Sequence, residues 1–247
     1  MRAITGVLLS AVAWAQQSAP SVDQLLDKHL EAVGGAEKFA NISTWYEKRE
    51  VTGDLTDYVP AGRAQTPFKS HGVTEYFFKA PNLRITSIRS DRNDFVEESG
   101  CDGKVSWSYS PRAGMQKQKP TAGHEYACRL GMTPFPMVLR QEKAKLELKG
   151  QKDVAGRKTF VIRAELPDHP GESFYYLDSE NYMLLRFDLR RNRMHATTLY
   201  SDYREVGGIK VAFHIEVHTE NTDQVTNLQD VQVNVPIDDQ VFLRPNW

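Results

Sequence analysis

The stretch IKVAFHIEVH, from Ile209 to His218, places His214, Glu216 and His218 at every second position. Imidazole and carboxylate groups at that spacing project from one side of a β-strand, the arrangement from which strand-borne zinc sites are made. Such a site would give a metal-dependent hydrolase its Lewis acid and its activated water. Catalysis also needs a third ligand, groups that orient the ligands, and an open coordination position in a dry pocket. The neighbours point elsewhere: Ile209, Val211, Phe213, Ile215 and Val217 alternate with Lys210, Ala212, His214, Glu216 and His218. The apolar set claims the buried side, so the triplet reads as the solvated face of a strand, with the metal hydrolase kept as the lesser alternative.

Other catalytic templates are missing from the sequence. It has no GxSxG elbow, P-loop or GxGxxG, and its nearest approach to HExxH is HEYAC, which begins at His124 and ends in Cys128. The carboxylates are scattered, mostly beside basic residues, so no acid–base pair stands out and no catalytic residue or cofactor is expected. With 31 Lys+Arg against 32 Asp+Glu the formal net charge is -1, which excludes the global basic field that draws nucleic acid. Arg186, Arg190, Arg191 and Arg193 straddle an expected hairpin, read as a solvated turn or, failing that, as a surface for an acidic or anionic-lipid partner.

The first residues, MRAITGVLLSAVAWAQQ, combine a positive charge at Arg2, a short apolar run and Ala13-x-Ala15. That is the anatomy of a cleavable secretory signal covering residues 1–15. No later segment approaches the ~18 apolar residues of a membrane span, so residues 16–247 are expected to form one exported, periplasmic, soluble domain. Cys101 and Cys128 are the only cysteines. In an oxidising compartment they either pair, stabilising the fold by roughly 3 to 4 kcal/mol, or remain as two buried thiols.

The elements that must position these groups follow from periodicity. SVDQLLDKHLEAV, from Ser21 to Val33, has a capping box in Ser21 and Gln24, an apolar stripe of Val22, Leu25, Leu26, Leu30 and Val33, and a stop at Gly34-Gly35. Almost everything else alternates with period two. In KVSWSYS, Val105, Trp107 and Tyr109 oppose serines; in KTFVIRAEL, Phe160, Ile162, Ala164 and Leu166 oppose Val161, Arg163 and Glu165. These are half-buried antiparallel strands. Thr56 to Gly72 reads as a long polar loop, and His124 to Lys143 as partly helical, interrupted by Pro134 and Pro136. The fold class is mainly β: one long antiparallel meander with helices over one face.

Four segments in chain order resemble the LolA/LolB-like lipoprotein localisation family. They are KAPNLR at Lys79 to Arg84, CDGKVSWSYSP at Cys101 to Pro111, GMTPFPMVLRQ at Gly131 to Gln141 and VFLRP at Val241 to Pro245. The resemblance implies an incomplete antiparallel β-barrel, a strongly curved sheet with covering helices on its concave face. It implies acyl chains bound between sheet and helices, a lipid or acylated protein as ligand, inner- or outer-membrane partner proteins, and a part in outer-membrane biogenesis. Lining residues implied for the apolar groove are Leu25, Leu26, Trp107, Tyr109, Met137, Phe160, Ile162, Phe213 and Ile215. The chain departs from the family at Ala80, where the carrier has an arginine implicated in holding its lid closed; that lock does not transfer. A filled barrel serving as a cell-envelope interaction module is the alternative from another class.

Overall fold

The expected first helix forms where its signals place it. The computed structural model describes residues 19–55, 68–90, 96–102, 105–110, 114–117, 132–167, 169–191, 194–220 and 222–243. Residues 1–15, Cys128 and the start of the His124–Lys143 segment lie outside them. Helix α1 spans Val22–Ala32, with the Ser21 hydroxyl accepting from the Gln24 amide and the Gln24 side chain accepting from the Ser21 amide. Its apolar stripe is buried, Leu25 and Leu26 completely, each worth ~1.5–3 kcal/mol in area removed from water. Gly34 ends it with φ 127, and a Cβ there would sit 2.8 Å from the Gly208 carbonyl oxygen. Glycine thus lets the chain leave α1 in close contact with the sheet, where Lys210 N–H donates to the Val33 carbonyl. A short helix, α2 (Ala36–Ala40), follows.

Thirteen strands make one antiparallel sheet: β1 (Thr44–Leu55), β2 (Phe68–Lys79), β3 (Leu83–Ser90), β4 (Val96–Asp102), β5 (Ser106–Ser110), β6 (Gly114–Lys117), β7 (Lys145–Val154), β8 (Arg157–Leu166), β9 (His169–Asp178), β10 (Leu184–Arg191), β11 (Met194–Val206), β12 (Ile209–Thr219) and β13 (Asp223–Val233). Strands β1 to β6 run outward one way from the centre and β13 back to β7 the other way, so every neighbouring pair is consecutive in sequence except the pair at the middle. There β1 pairs with β13, Trp45 opposite Val233 and Thr52 opposite Val225. The edges β6 and β7 do not meet, and the barrel stays open. The β7–β8 and β11–β12 hairpins turn at Ala155-Gly156 and Gly207-Gly208, with positive φ at both positions of each pair, the geometry that matches the twist of adjoining strands.

Two expectations are corrected. Phe68 to Gly72 is the start of β2, not loop: Lys69, Ser70 and His71 are polar, but pairing with β1 continues through His71 opposite Thr52 and Phe68 opposite Leu55. Residues 56–67 lie outside the described part. Pro134 and Pro136 do not interrupt a helix but begin one, α3 (Phe135–Gln141), with Pro134 at the N-cap. A proline in the first turn lacks an N–H that would have had no helical partner anyway.

The helices lie on one face of the sheet. Leu25 and Leu26 of α1, Leu139 of α3 and Ile162, Ala164 and Leu177 of β8 and β9 pack into one cluster. Near the middle, Ile42, Trp45, Phe78 and Ile209 form a second, with Phe39 of α2 against it. The opposite face is covered in part by the chain's own end: Phe242, in the 3-10 turn Asp239–Phe242, packs with Ile85 and Trp107. Lys79 reaches across to Asp239, Nζ to Oδ1 at 2.5 Å.

Candidate ligand-binding site

Between the inner face of the sheet and the helices lies an open cavity of 510 Å³. Its helical side is His29 and Val33 of α1, Phe39 of α2, and Met132 to Phe135 at the entry to α3. Its sheet side is built from β1 (Trp45, Glu47, Arg49), β9 and β10 (Tyr175, Leu184, Phe187), β11 (Tyr200, Tyr203), β12 (Ile209 to Ala212, Ile215) and β13 (Leu228). Most of this surface is aliphatic or aromatic, as expected of a site for an apolar ligand.

Local backbone irregularities bring some of these side chains in. Tyr200 and Tyr203 are three apart, which strict alternation would send to opposite faces. Asp202 between them takes φ 50, and both tyrosines line the cavity. The Tyr203 hydroxyl donates to the Leu184 carbonyl at 2.7 Å. On β1 the register against β13 shifts between Lys48 and Arg49, and Arg49 still faces inward with Glu47.

An aromatic run ties the helices to the sheet. His29 lies 4.7 Å from Phe135 between ring centroids, Phe135 stacks on Tyr175 at 4.3 Å, and Tyr175 meets Phe187 at 5.0 Å. His29 is itself buried, and its Nδ1–H donates to the Tyr182 carbonyl at 2.8 Å. Burial lowers its pKa to about 4, against the smaller opposing effect of that bond, so the ring is neutral at ordinary pH. Burial likewise pushes the Tyr200 and Tyr203 hydroxyls up, keeping both protonated.

The ion pair of the lining is on β1. Glu47 is 4 % exposed, and its carboxylate accepts a hydrogen bond from Arg49 Nη2. The indole Nε1 of Trp45 and the Nε of Arg49 are buried with no hydrogen-bond partner among the described residues.

The residues anticipated for the groove are distributed among several places. Ile215 lines the cavity. Leu25, Leu26 and Ile162 are in the packed cluster beside it, with Phe160 against its margin; Met137 is half-buried on α3. Phe213 is buried outside the cavity lining, with the Arg204 guanidinium 4.4 Å from its ring centroid. Trp107 and Tyr109 lie on the opposite face, under the chain's end with Ile85, Val241 and Phe242. The register carries that assignment outward from the cavity: Trp45 points in, its neighbour Tyr46 points out, and Tyr46 stands opposite Phe77, Phe77 opposite Ile85, Ile85 opposite Gly100 and Gly100 opposite Trp107. Cys101 is buried and disulfide-bonded.

His214, Glu216 and His218 lie on the outer face of β12, partly exposed. His214 Nδ1 donates to Asn227 at 2.7 Å, His214 Nε2 meets Glu216 at 3.2 Å, and His218 pairs with Asp223 at 2.8 Å and with Glu216 at 3.4 Å. Among the described residues no group of three or more His, Cys, Asp or Glu is arranged to hold a metal ion. Trp45, Glu47, Arg49, Tyr200 and Tyr203 were not anticipated from sequence. For the first three the only signal is the alternation in TWYEKRE, which puts Trp45, Glu47 and Arg49 on one face; Tyr200 and Tyr203, three apart, break the alternation and have none.

No family model matches the sequence, and no curated protein does. Solved structures do match. A LolA superfamily protein from Nitrosomonas europaea aligns with TM-score 0.59 at 12% identity, over 92% of this chain and 99% of that one. A DUF1329 family protein from Desulfovibrio piger aligns with TM-score 0.56 at 13% identity, over 89% and 95%. An outer membrane lipoprotein-sorting protein domain from Vibrio parahaemolyticus gives 0.55 at 13%, over 88% and 97%. The open thirteen-stranded sheet with helices on its inner face is therefore a fold shared with a LolA superfamily protein and a lipoprotein-sorting domain, at 12% and 13% identity.

Proposed function

We propose that this protein is a carrier or chaperone for a lipid moiety, free or attached to a protein, and that it works by burial and not by catalysis. The observation that carries the reading is the open, mainly aliphatic and aromatic cavity between the sheet and α1, α2 and the entry to α3. Its 510 Å³ falls in the range of about 300–1,000 Å³ typical of small-ligand sites. Each methylene taken from water contributes ~0.8 kcal/mol. Sixteen of them supply about 13 kcal/mol, which leaves roughly micromolar binding after a cost of several kcal/mol for ordering and association. The likeness to a LolA superfamily protein and to a lipoprotein-sorting domain supports the same reading at the level of fold.

The site of action follows from the leader. Removal of residues 1–15 on export would release residues 16–247 into the periplasm, and no helix among the described residues is long and apolar enough to cross a membrane. Delivery to or from a membrane then requires partner proteins or direct collision with the bilayer. Extraction of the purified mature protein with organic solvent, followed by mass spectrometry, tests the reading. Acyl lipid in stoichiometric amount is the expected result. Protein that emerges free of lipid and that also fails to bind a fluorescent acyl probe would overturn it.

A further inference from the structure

We propose that Trp45, Glu47 and Arg49 form the head-binding end of the cavity, and that they select an acyl chain bearing an uncharged carbonyl, as ester or amide, over a free fatty acid. The proposal rests on the carrier reading and adds to it the chemistry of the ligand's head.

The three residues occupy alternate positions on β1 and all line the cavity. The Trp45 side chain is 2 % exposed, and its Nε1 and the Arg49 Nε have no hydrogen-bond partner among the described residues. Buried polar groups are nearly always satisfied, and a donor left without an acceptor destabilises the empty protein. Both orphans are donors. A ligand that displaces what covers them therefore gains most by presenting an acceptor.

The charge on that acceptor is set by Glu47. Its buried carboxylate already takes a hydrogen bond from Arg49, so the pair is internally neutral. A fatty carboxylate arriving beside it would bring an uncompensated anion next to another, buried carboxylate. A carbonyl oxygen accepts the same hydrogen bonds without adding charge. Among the other lining residues only Lys210 is permanently charged, and it is exposed to water, where screening leaves it a weak partner. The Tyr203 hydroxyl is engaged with the Leu184 carbonyl, and His29 is neutral with its Nδ1–H committed to Tyr182.

Oleate, the glycerol monoester of oleic acid and its primary amide, each competed at pH 8 against a fluorescent acyl probe, provide the test in wild-type protein, Glu47→Gln and Trp45→Phe. Wild type should take ester and amide about tenfold more tightly than oleate. Trp45→Phe keeps a smaller aromatic ring on the wall, removes the N–H, and should lose most of that advantage. Glu47→Gln frees the Arg49 charge and should swing the preference toward oleate, a reversal that mere loosening of the fold would not produce. Thermal melting reports whether each variant is folded, and Trp45→Phe remains decisive if Glu47→Gln is not. Wild type that binds acyl probes without regard to the head, or an unchanged ratio in folded variants, overturns this inference alone. Wild type that binds no acyl compound overturns the carrier reading and this inference with it.

Discussion

His29 and Tyr182 are joined by a 2.8 Å hydrogen bond from an imidazole Nδ1–H on the buried face of α1 to a backbone carbonyl in the β9–β10 turn. The neighbouring Lys28 Nζ donates to the Tyr182 hydroxyl at 2.9 Å, so successive residues of α1 hold that turn from two sides. The same imidazole packs on Phe135 at the start of α3. One side chain thus docks α1 against both the sheet and the second covering helix, beside the cavity mouth.

This docking predicts loss of stability in acid. The folded His29 titrates at about 4 because burial penalises the cation, whereas an unfolded histidine titrates near ~6.5. Between those values the unfolded chain holds the extra proton, so stability rises with pH across the window and is lost as pH falls through it. The difference amounts to about 3 kcal/mol. Urea midpoints at pH 7 and pH 4.5 should differ clearly in wild type, and His29→Gln, which can still donate to Tyr182, should flatten the slope. Equal slopes in the two proteins would show that other groups control the acid transition.

On the outer face, Asp188 gathers an unusual number of donors. Tyr176 and Thr197 hydroxyls bond to it at 2.9 Å each, and Arg186 grips it with Nε at 2.7 Å and Nη2 at 2.9 Å. Burial on its own would raise the carboxyl's pKa, but the bonds from Arg186, Tyr176 and Thr197 outweigh it and hold the group below its ordinary value. Asp188→Asn leaves these donors facing an amide, and the expected cost is about 2 kcal/mol. Asp202→Asn, at an exposed pair with Arg204, should leave the denaturation midpoint unchanged. The contrast is checked by urea denaturation of the two variants side by side.

The architecture was legible in the sequence because period-two alternation survives wherever one face is buried, as in Phe160, Ile162 and Ala164 of β8. Which face is inside was not legible. Alternation puts Trp107 and Tyr109 together, but only the register, followed from Trp45 through Tyr46, Phe77, Ile85 and Gly100, shows them on the outer side, where Phe242 covers them. The β1–β13 pairing at the centre joins the first and last strands in sequence and leaves no local signal. Glu47 and Arg49 were hidden for a different reason. An internally neutralised ion pair on a buried face has the same sequence pattern as a wet one.

The HIEVH face should respond weakly to mutation. His214 and His218 are partly exposed and paired with Glu216, Asn227 and Asp223. The hydrogen bond to Asn227 outweighs partial burial, and with Glu216 raises the pKa of His214, so its small contribution is present at low pH and fades as pH rises, opposite in sign to that of His29. Replacing both histidines with alanine should shift stability by no more than about 0.5 kcal/mol. Zinc content of the parent and of the double variant, measured by atomic absorption, should be negligible in both. Stoichiometric zinc lost on mutation would return this strand to the metal-site reading.

Two residues on the same strand separate packing from ligand binding. Ile215 lines the cavity, while Phe213, two positions earlier, is buried outside the lining beneath Arg204. Only one of the two therefore borders the cavity, while the Arg204 guanidinium covers the ring of the other. Phe213→Ala removes a buried ring and its contact with the Arg204 cation, at a cost of about 3 kcal/mol. The protein that remains folded should bind a fluorescent acyl probe as tightly as wild type. Ile215→Ser removes less buried surface but places a hydroxyl on the cavity wall, so probe affinity should fall by roughly tenfold with a smaller change in midpoint. Probe titrations and urea midpoints on both variants give the answer. If Phe213→Ala weakens the probe and Ile215→Ser does not, the ligand lies at Phe213 and the cavity is not its site.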